Sequence, residues 1–137
     1  MSCKKITFNN EEKYMFFTSN LFYIPTLVGY YRNYHYLTLL NFGSALITTK
    51  FWKTGNNDIY RKLDLLYQPF YSIILFMYGN ISSRNQFLLL SGNLFFMNGL
   101  YFYYRSHTEY NKKRRLWYIN HLIFHISMFS SNFLIYF

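Results

Sequence analysis

The chain has 137 residues, enough for one domain and no more, and its fourteen Lys and Arg against five Asp and Glu give a net charge of +9. Cys3 is the only cysteine, which excludes an intrachain disulfide. Aromatic residues make up 25 % of the chain and mean hydropathy is −0.05, a value lowered by many Tyr and Asn, so bulk hydropathy excludes neither a water-borne nor a lipid-embedded chain. Phe, Tyr, Asn, Ile and Lys all have A- and T-rich codons, and their abundance is not by itself an argument for stacking on nucleic acid.

Twelve of the fourteen cations fall in three places: the N-terminal tail up to Lys13, the segment from Lys50 to Lys62, and the segment from Arg105 to Arg115. Between them lie uncharged runs at residues 14–31, 33–49, 65–83, 85–104 and 116–137. Each is about the length of one helical bilayer crossing, roughly 17–25 residues. Residues 14–31 predict a first helix, kinked near Pro25. Lys4 and Lys5 precede it and no small-x-small cleavage site follows, so it reads as an uncleaved signal anchor. Residues 33–49 predict a second helix. A polar connector over residues 50–62 carries Gly55-Asn56-Asn57-Asp58, a turn signal. Residues 63–83 predict a third helix with Pro69 inside it, and Arg84 marks a short turn before a fourth at 85–104. A basic loop over 105–115 leads to a fifth helix at 116–137.

Counted on alternate sides of such a bundle, the cations divide twelve to two, with Arg32 and Arg84 the minority. The positive-inside rule then places the N-terminus in the cytoplasm and the C-terminus outside. The expectation is an all-α fold: a single multi-pass transmembrane domain of about five helices over residues 1–137, with membrane lipids as partners. The basic residues flank apolar runs and form no stripe on one face, which argues against nucleic acid as a partner. Asn20, Asn41, Asn93, Asn98 and Asn132 sit inside the uncharged runs and demand hydrogen bonds across helices or to backbone.

Three groups could carry chemistry. His121 and His125, four apart, share one face of the last helix, and two imidazoles at that spacing can hold a metal ion; the bland alternative is a pair of hydrogen-bonded polar residues. Asp64 is the only acidic residue inside any proposed span, and its bland alternative is a carboxylate at a helix N-terminus beside Arg61 and Lys62. Ser44 lies in a Gly43-Ser44-Ala45 run, which otherwise reads as a close-packing patch. All four fall within a few turns of the same end of the predicted bundle.

The segments Gly43-Ser44-Ala45-Leu46-Ile47-Thr48, Lys62-Leu63-Asp64-Leu65-Leu66 and His121-Leu122-Ile123-Phe124-His125-Ile126-Ser127 resemble the functional segments of the CREST superfamily of membrane hydrolases. That grouping comprises alkaline ceramidases, progestin and adipoQ receptors and GPI-lipid remodelling proteins. The resemblance covers three short segments. It implies Ser44 and Asp64 as catalytic residues positioning a water, His121 and His125 as ligands of a zinc ion, and a lipid amide or ester as substrate. Thr48 stands where the family carries its first His ligand, and five helices stand where the family has seven. These departures leave a second reading open, a non-enzymatic membrane scaffold or assembly protein, and behind it a small channel.

Overall fold

The computed structural model describes residues 11–54, 58–82, 85–112 and 116–137. The turns expected at residues 55–57 and at Arg84, and the basic residues 113–115, lie outside the described residues. Among the described residues the chain is helical: α1 (Glu11–Ser19), a 3-10 turn (Asn20–Phe22), α2 (Tyr23–Tyr31), α3 (His35–Thr54), α4 (Asp58–Ser82), α5 (Gln86–Asn111) and α6 (Trp117–Leu134).

Local chemistry accounts for the breaks. Pro25 lacks the N–H that an α-helix would direct at Leu21, and the tighter 3-10 turn sits just before it. The α2–α3 turn passes through Asn33, whose φ of 62° lies in the left-handed region that Asn tolerates better than most residues. There the Tyr34 N–H closes on the Gly29 carbonyl at 2.8 Å, and the Arg32 guanidinium rests over the Phe137 ring at 4.5 Å. Asn85 caps α5, its side-chain oxygen accepting from the Phe87 and Leu88 N–H groups. Beyond that cap α5 runs on to Asn111, so most of the expected basic loop is helix. Likewise α4 begins at Asp58 and takes up part of the expected polar connector.

The transmembrane expectation fails. Among the described residues no helix is long and apolar enough to cross a membrane. Length is not the shortfall, since α4 has 25 residues and α5 has 26. The uncharged runs are diluted by Tyr, Asn, Gln and Ser, and a residue without charge is not thereby apolar. The assignments that depended on spanning fall with it: the multi-pass topology, the cytoplasmic N-terminus with an external C-terminus, and the membrane localisation.

α5 and α6 pack along one another most extensively; α3 lies centrally, against α1, α2 and α4, while α1 also reaches α6 and α4 meets α5 only lightly. Close approach comes from small residues. A Cβ on Gly99 would lie 2.8 Å from Met128 Sδ, and one on Gly43 would lie 2.5 Å from the Tyr67 hydroxyl. Two apolar clusters form the core, Leu37, Tyr71, Leu75 and Tyr136 in one, Phe22, Ala45 and Met128 in the other.

The interior is largely polar. Among the described residues eleven polar or charged side chains are buried against nine apolar ones. Burying so many polar groups is tolerable only if each finds a partner, and the central ones do. The Tyr71 hydroxyl donates to Asn41 Oδ1, Asn41 Nδ2 donates to the Tyr136 hydroxyl, and Asn132 Nδ2 donates to the Tyr71 oxygen at 2.7 Å. This chain of amides and phenols ties α3, α4, α6 and the C-terminal residues together. Asn41→Ala would leave the Tyr71 hydroxyl without its acceptor and the Tyr136 hydroxyl without its donor, and should cost about 3 kcal/mol in denaturant unfolding, with helix content unchanged. Asn41→Asp should cost more, because a buried carboxylate must be desolvated or protonated.

Candidate functional site

Ser44 and Thr48, four apart on α3, face Asp64 and Gln68, four apart on α4. Thr48 Oγ1 donates to Asp64 Oδ1 at 2.7 Å, and Gln68 Nε2 donates both to Thr48 Oγ1 at 2.7 Å and to Asp64 Oδ1 at 3.1 Å. Ser44 Oγ closes the group by donating to Gln68 Oε1 at 2.9 Å. The expected Ser44, Thr48 and Asp64 therefore do meet, through an amide that the sequence analysis did not single out. Its signal was present: Gln68 lies one turn from Asp64 on the same face.

Burial pushes the Asp64 carboxyl above its usual value, with the hydrogen bonds from Thr48 and Gln68 only partly opposing the shift. Tyr103 of α5 feels the same carboxyl: burial, and secondarily the Asp64 charge, raise its phenol. Ser44 donates to an amide oxygen, and among the described residues no imidazole is bonded to it. A serine nucleophile needs an adjacent base to receive that proton, so the group is arranged as a closed hydrogen-bond network.

His121 and His125 form a second group on α6. Their rings meet at 4.7 Å between centroids. The Thr18 hydroxyl of α1 hydrogen-bonds His125 Nδ1 at 2.9 Å and lies within reach of the Tyr14 and Met15 carbonyls. Ser106 of α5 pairs with His121 Nδ1 at 3.2 Å. Trp52, Trp117 and Phe124 surround His121, and Phe22 stands edge-on to His125. In this apolar cage burial lowers the His121 pKa to about 4. His125 is pushed well down by burial and, secondarily, by His121. Both rings are neutral at neutral pH. The hydroxyl partners Thr18 and Ser106 come from distant parts of the chain, and no spacing rule points to them.

The two groups are neighbours. Trp52, one turn beyond Thr48 on α3, presents its ring edge to His121 at 5.5 Å, and Tyr103 packs on Phe124 at 5.1 Å. No hydrogen bond joins them among the described residues. A zinc ion wants at least three protein ligands. Two imidazoles are available, Thr48 offers only a hydroxyl, and the Asp64 oxygen is held by Thr48 and Gln68. Among the described residues no three His, Cys, Asp or Glu side chains are grouped as a metal ion would require. The residues present do not fit the zinc that the resemblance implies.

No family model, curated protein or solved structure matches the chain.

The shifted groups set a pH dependence of opposite signs. His121 is lowered below its unfolded value of 6.5, so its contribution to stability is present above pH 6.5 and lost as pH falls towards 4. Asp64 is raised above 3.8, so its contribution is present below that value and lost as pH rises through its folded pKa. Chemical unfolding between pH 7 and pH 4 should show the imidazole pair dominating, with up to ~3 kcal/mol lost through His121 alone. His121→Phe should flatten that slope, while Asp64→Asn should raise stability at pH 7.

Proposed function

We propose that this chain is a non-catalytic helical assembly protein, a scaffold whose outer faces receive other helices. The observation that supports it is the placement of side chains. Polar groups fill much of the interior, the central ones bonded to one another, while large apolar residues crowd the outside. On α4 alone Leu63, Leu66, Phe70, Ile73 and Met77, spaced by three and four residues, are all exposed. Monomeric water-borne proteins rarely leave apolar patches above a few hundred Å² uncovered, roughly the area of two or three such side chains. One further feature points away from catalysis: Ser44 donates to the Gln68 amide oxygen, and among the described residues no imidazole is bonded to it.

A second reading, a relic of a lipid amide or ester hydrolase, is favoured by one observation: Ser44, Thr48 and Asp64 share one hydrogen-bonded group. No step through a metal follows from these residues.

Light scattering of the purified chain separates the two. The assembly reading expects particles well above 16.9 kDa, shifted to lower mass by Leu66→Glu/Ile73→Glu with helix content retained. Ser44→Ala and Asp64→Asn should leave the mass unchanged. Stoichiometric zinc that disappears in His121→Ala/His125→Ala, together with lipid cleavage lost in Asp64→Asn, would overturn it in favour of the relic hydrolase.

A further inference from the structure

α5 has two opposite faces. One is inlaid in α6: Gly92, Gly99 and Ser106 recur every seven residues along it. The Gly92 carbonyl accepts from Ser131 Oγ at 3.0 Å, Gly99 leaves room for Met128, and Ser106 meets His121. The opposite face carries Phe87, Leu90, Leu94, Met97, Tyr101 and Tyr104. Their spacing is three, four, three, four, three, and each is between 54 and 74 % exposed. No charged residue occurs anywhere from Gln86 to Tyr104.

We infer that this face is a coiled-coil seam that pairs with the same face of a second copy of the chain, antiparallel. The inference rests on the assembly reading above and names the partner. An apolar repeat averaging 3.5 residues is the pattern that packs knobs into holes against another helix of the same period. The six side chains expose on the order of 700 Å² of mostly apolar area, close to the ~800 Å² that each partner contributes to a standard stable interface.

Packing of the layers selects the antiparallel arrangement, about the midpoint between Leu94 and Met97. In that register Leu94 lies opposite the partner's Met97, Leu90 opposite the partner's Tyr101, and Phe87 opposite the partner's Tyr104. Every layer then joins a smaller or more flexible side chain to a larger one, or two aromatic rings.

The test uses the full-length chain in a Cys3→Ser background, with cysteine placed at the two ends of the seam. Mixed Phe87→Cys and Tyr104→Cys chains should form a heterologous 87–104 disulfide under mild oxidation, and each variant alone should form little. Wild type should measure twice 16.9 kDa by light scattering. Leu94→Glu/Met97→Glu should weaken that dimer at least about a hundredfold while circular dichroism reports unchanged helix. Cross-linking of Phe87→Cys chains to one another means a parallel pair and overturns the inference. So does a wild-type chain that stays at 16.9 kDa, whether free, on phosphatidylcholine vesicles or bound to another protein. Assembly that is lost in the α4 variant Leu66→Glu/Ile73→Glu and survives Leu94→Glu/Met97→Glu also overturns it, and leaves the assembly reading standing.

Discussion

The obligation of buried polar groups to find partners governs this fold. Asn41, Tyr71, Asn132 and Tyr136 come from widely separated parts of the chain and bond to each other at its centre. In water these groups are fully solvated, so each bond adds only about 1 kcal/mol of net stability. Leaving any one unmade costs more than that, because the abandoned group stays buried. The network therefore acts less as glue than as a selector: few arrangements of these helices satisfy all four residues at once. The same rule recurs at Ser44, Thr48, Asp64 and Gln68, and at the two histidines with Thr18 and Ser106. Much of the interior is a set of such closed groups, separated by aromatic rings.

The same organisation underlies the assembly reading proposed for a group that resembles a catalytic site in sequence. Catalysis requires polar groups left poised, with a proton to give, a lone pair to offer or a position open to substrate. Here Gln68 takes the Ser44 proton, Asp64 receives two donors on one oxygen, and the imidazoles are desolvated and capped at Nδ1. Each of these bonds occupies a buried polar atom and removes a reactive end. Thr48 makes the difference concrete. Its hydroxyl both donates to Asp64 and accepts from Gln68, two bonds that would be split differently by a ring directed at a metal.

Helix positions were legible in the sequence because charge is excluded from packed faces whatever lies beyond them. The environment was not legible, for the same reason: exclusion of charge does not distinguish lipid from a protein interior or a helix partner. The Asn residues held the discriminating information. Asn41, Asn93, Asn98 and Asn132 all bond across helices, to Tyr136 and Tyr71, Asn80, Ser127 and Tyr71 respectively, and Asn20 bonds back to the Phe16 carbonyl. Their need for partners could be read from sequence, and the partners could not, since each lies at least a dozen residues away in the chain apart from the local bond of Asn20. In the candidate site the spacing of His121 and His125 was visible, as was that of Asp64 and Gln68, because both pairs repeat at one helical turn. The meeting of Ser44 with Gln68 and of His125 with Thr18 depends on tertiary packing alone.

The seam on α5 was hidden by the abundance of apolar residues around it. Leu88, Leu89, Phe95, Phe96, Leu100 and Phe102 fill the positions between its members, so a count of hydrophobic positions gives no contrast at a period of 3.5 or 3.6. Only the partition made by folding separates the residues that α6 takes up from those left outside. The face against α6 is built of Gly92, Gly99 and Ser106, small enough for two helix axes to approach closely. The outer face is built of Leu, Met, Phe and Tyr, bulky enough to reach across to another helix. The bulk was placed where a partner has still to be met, and the small residues where one had been secured.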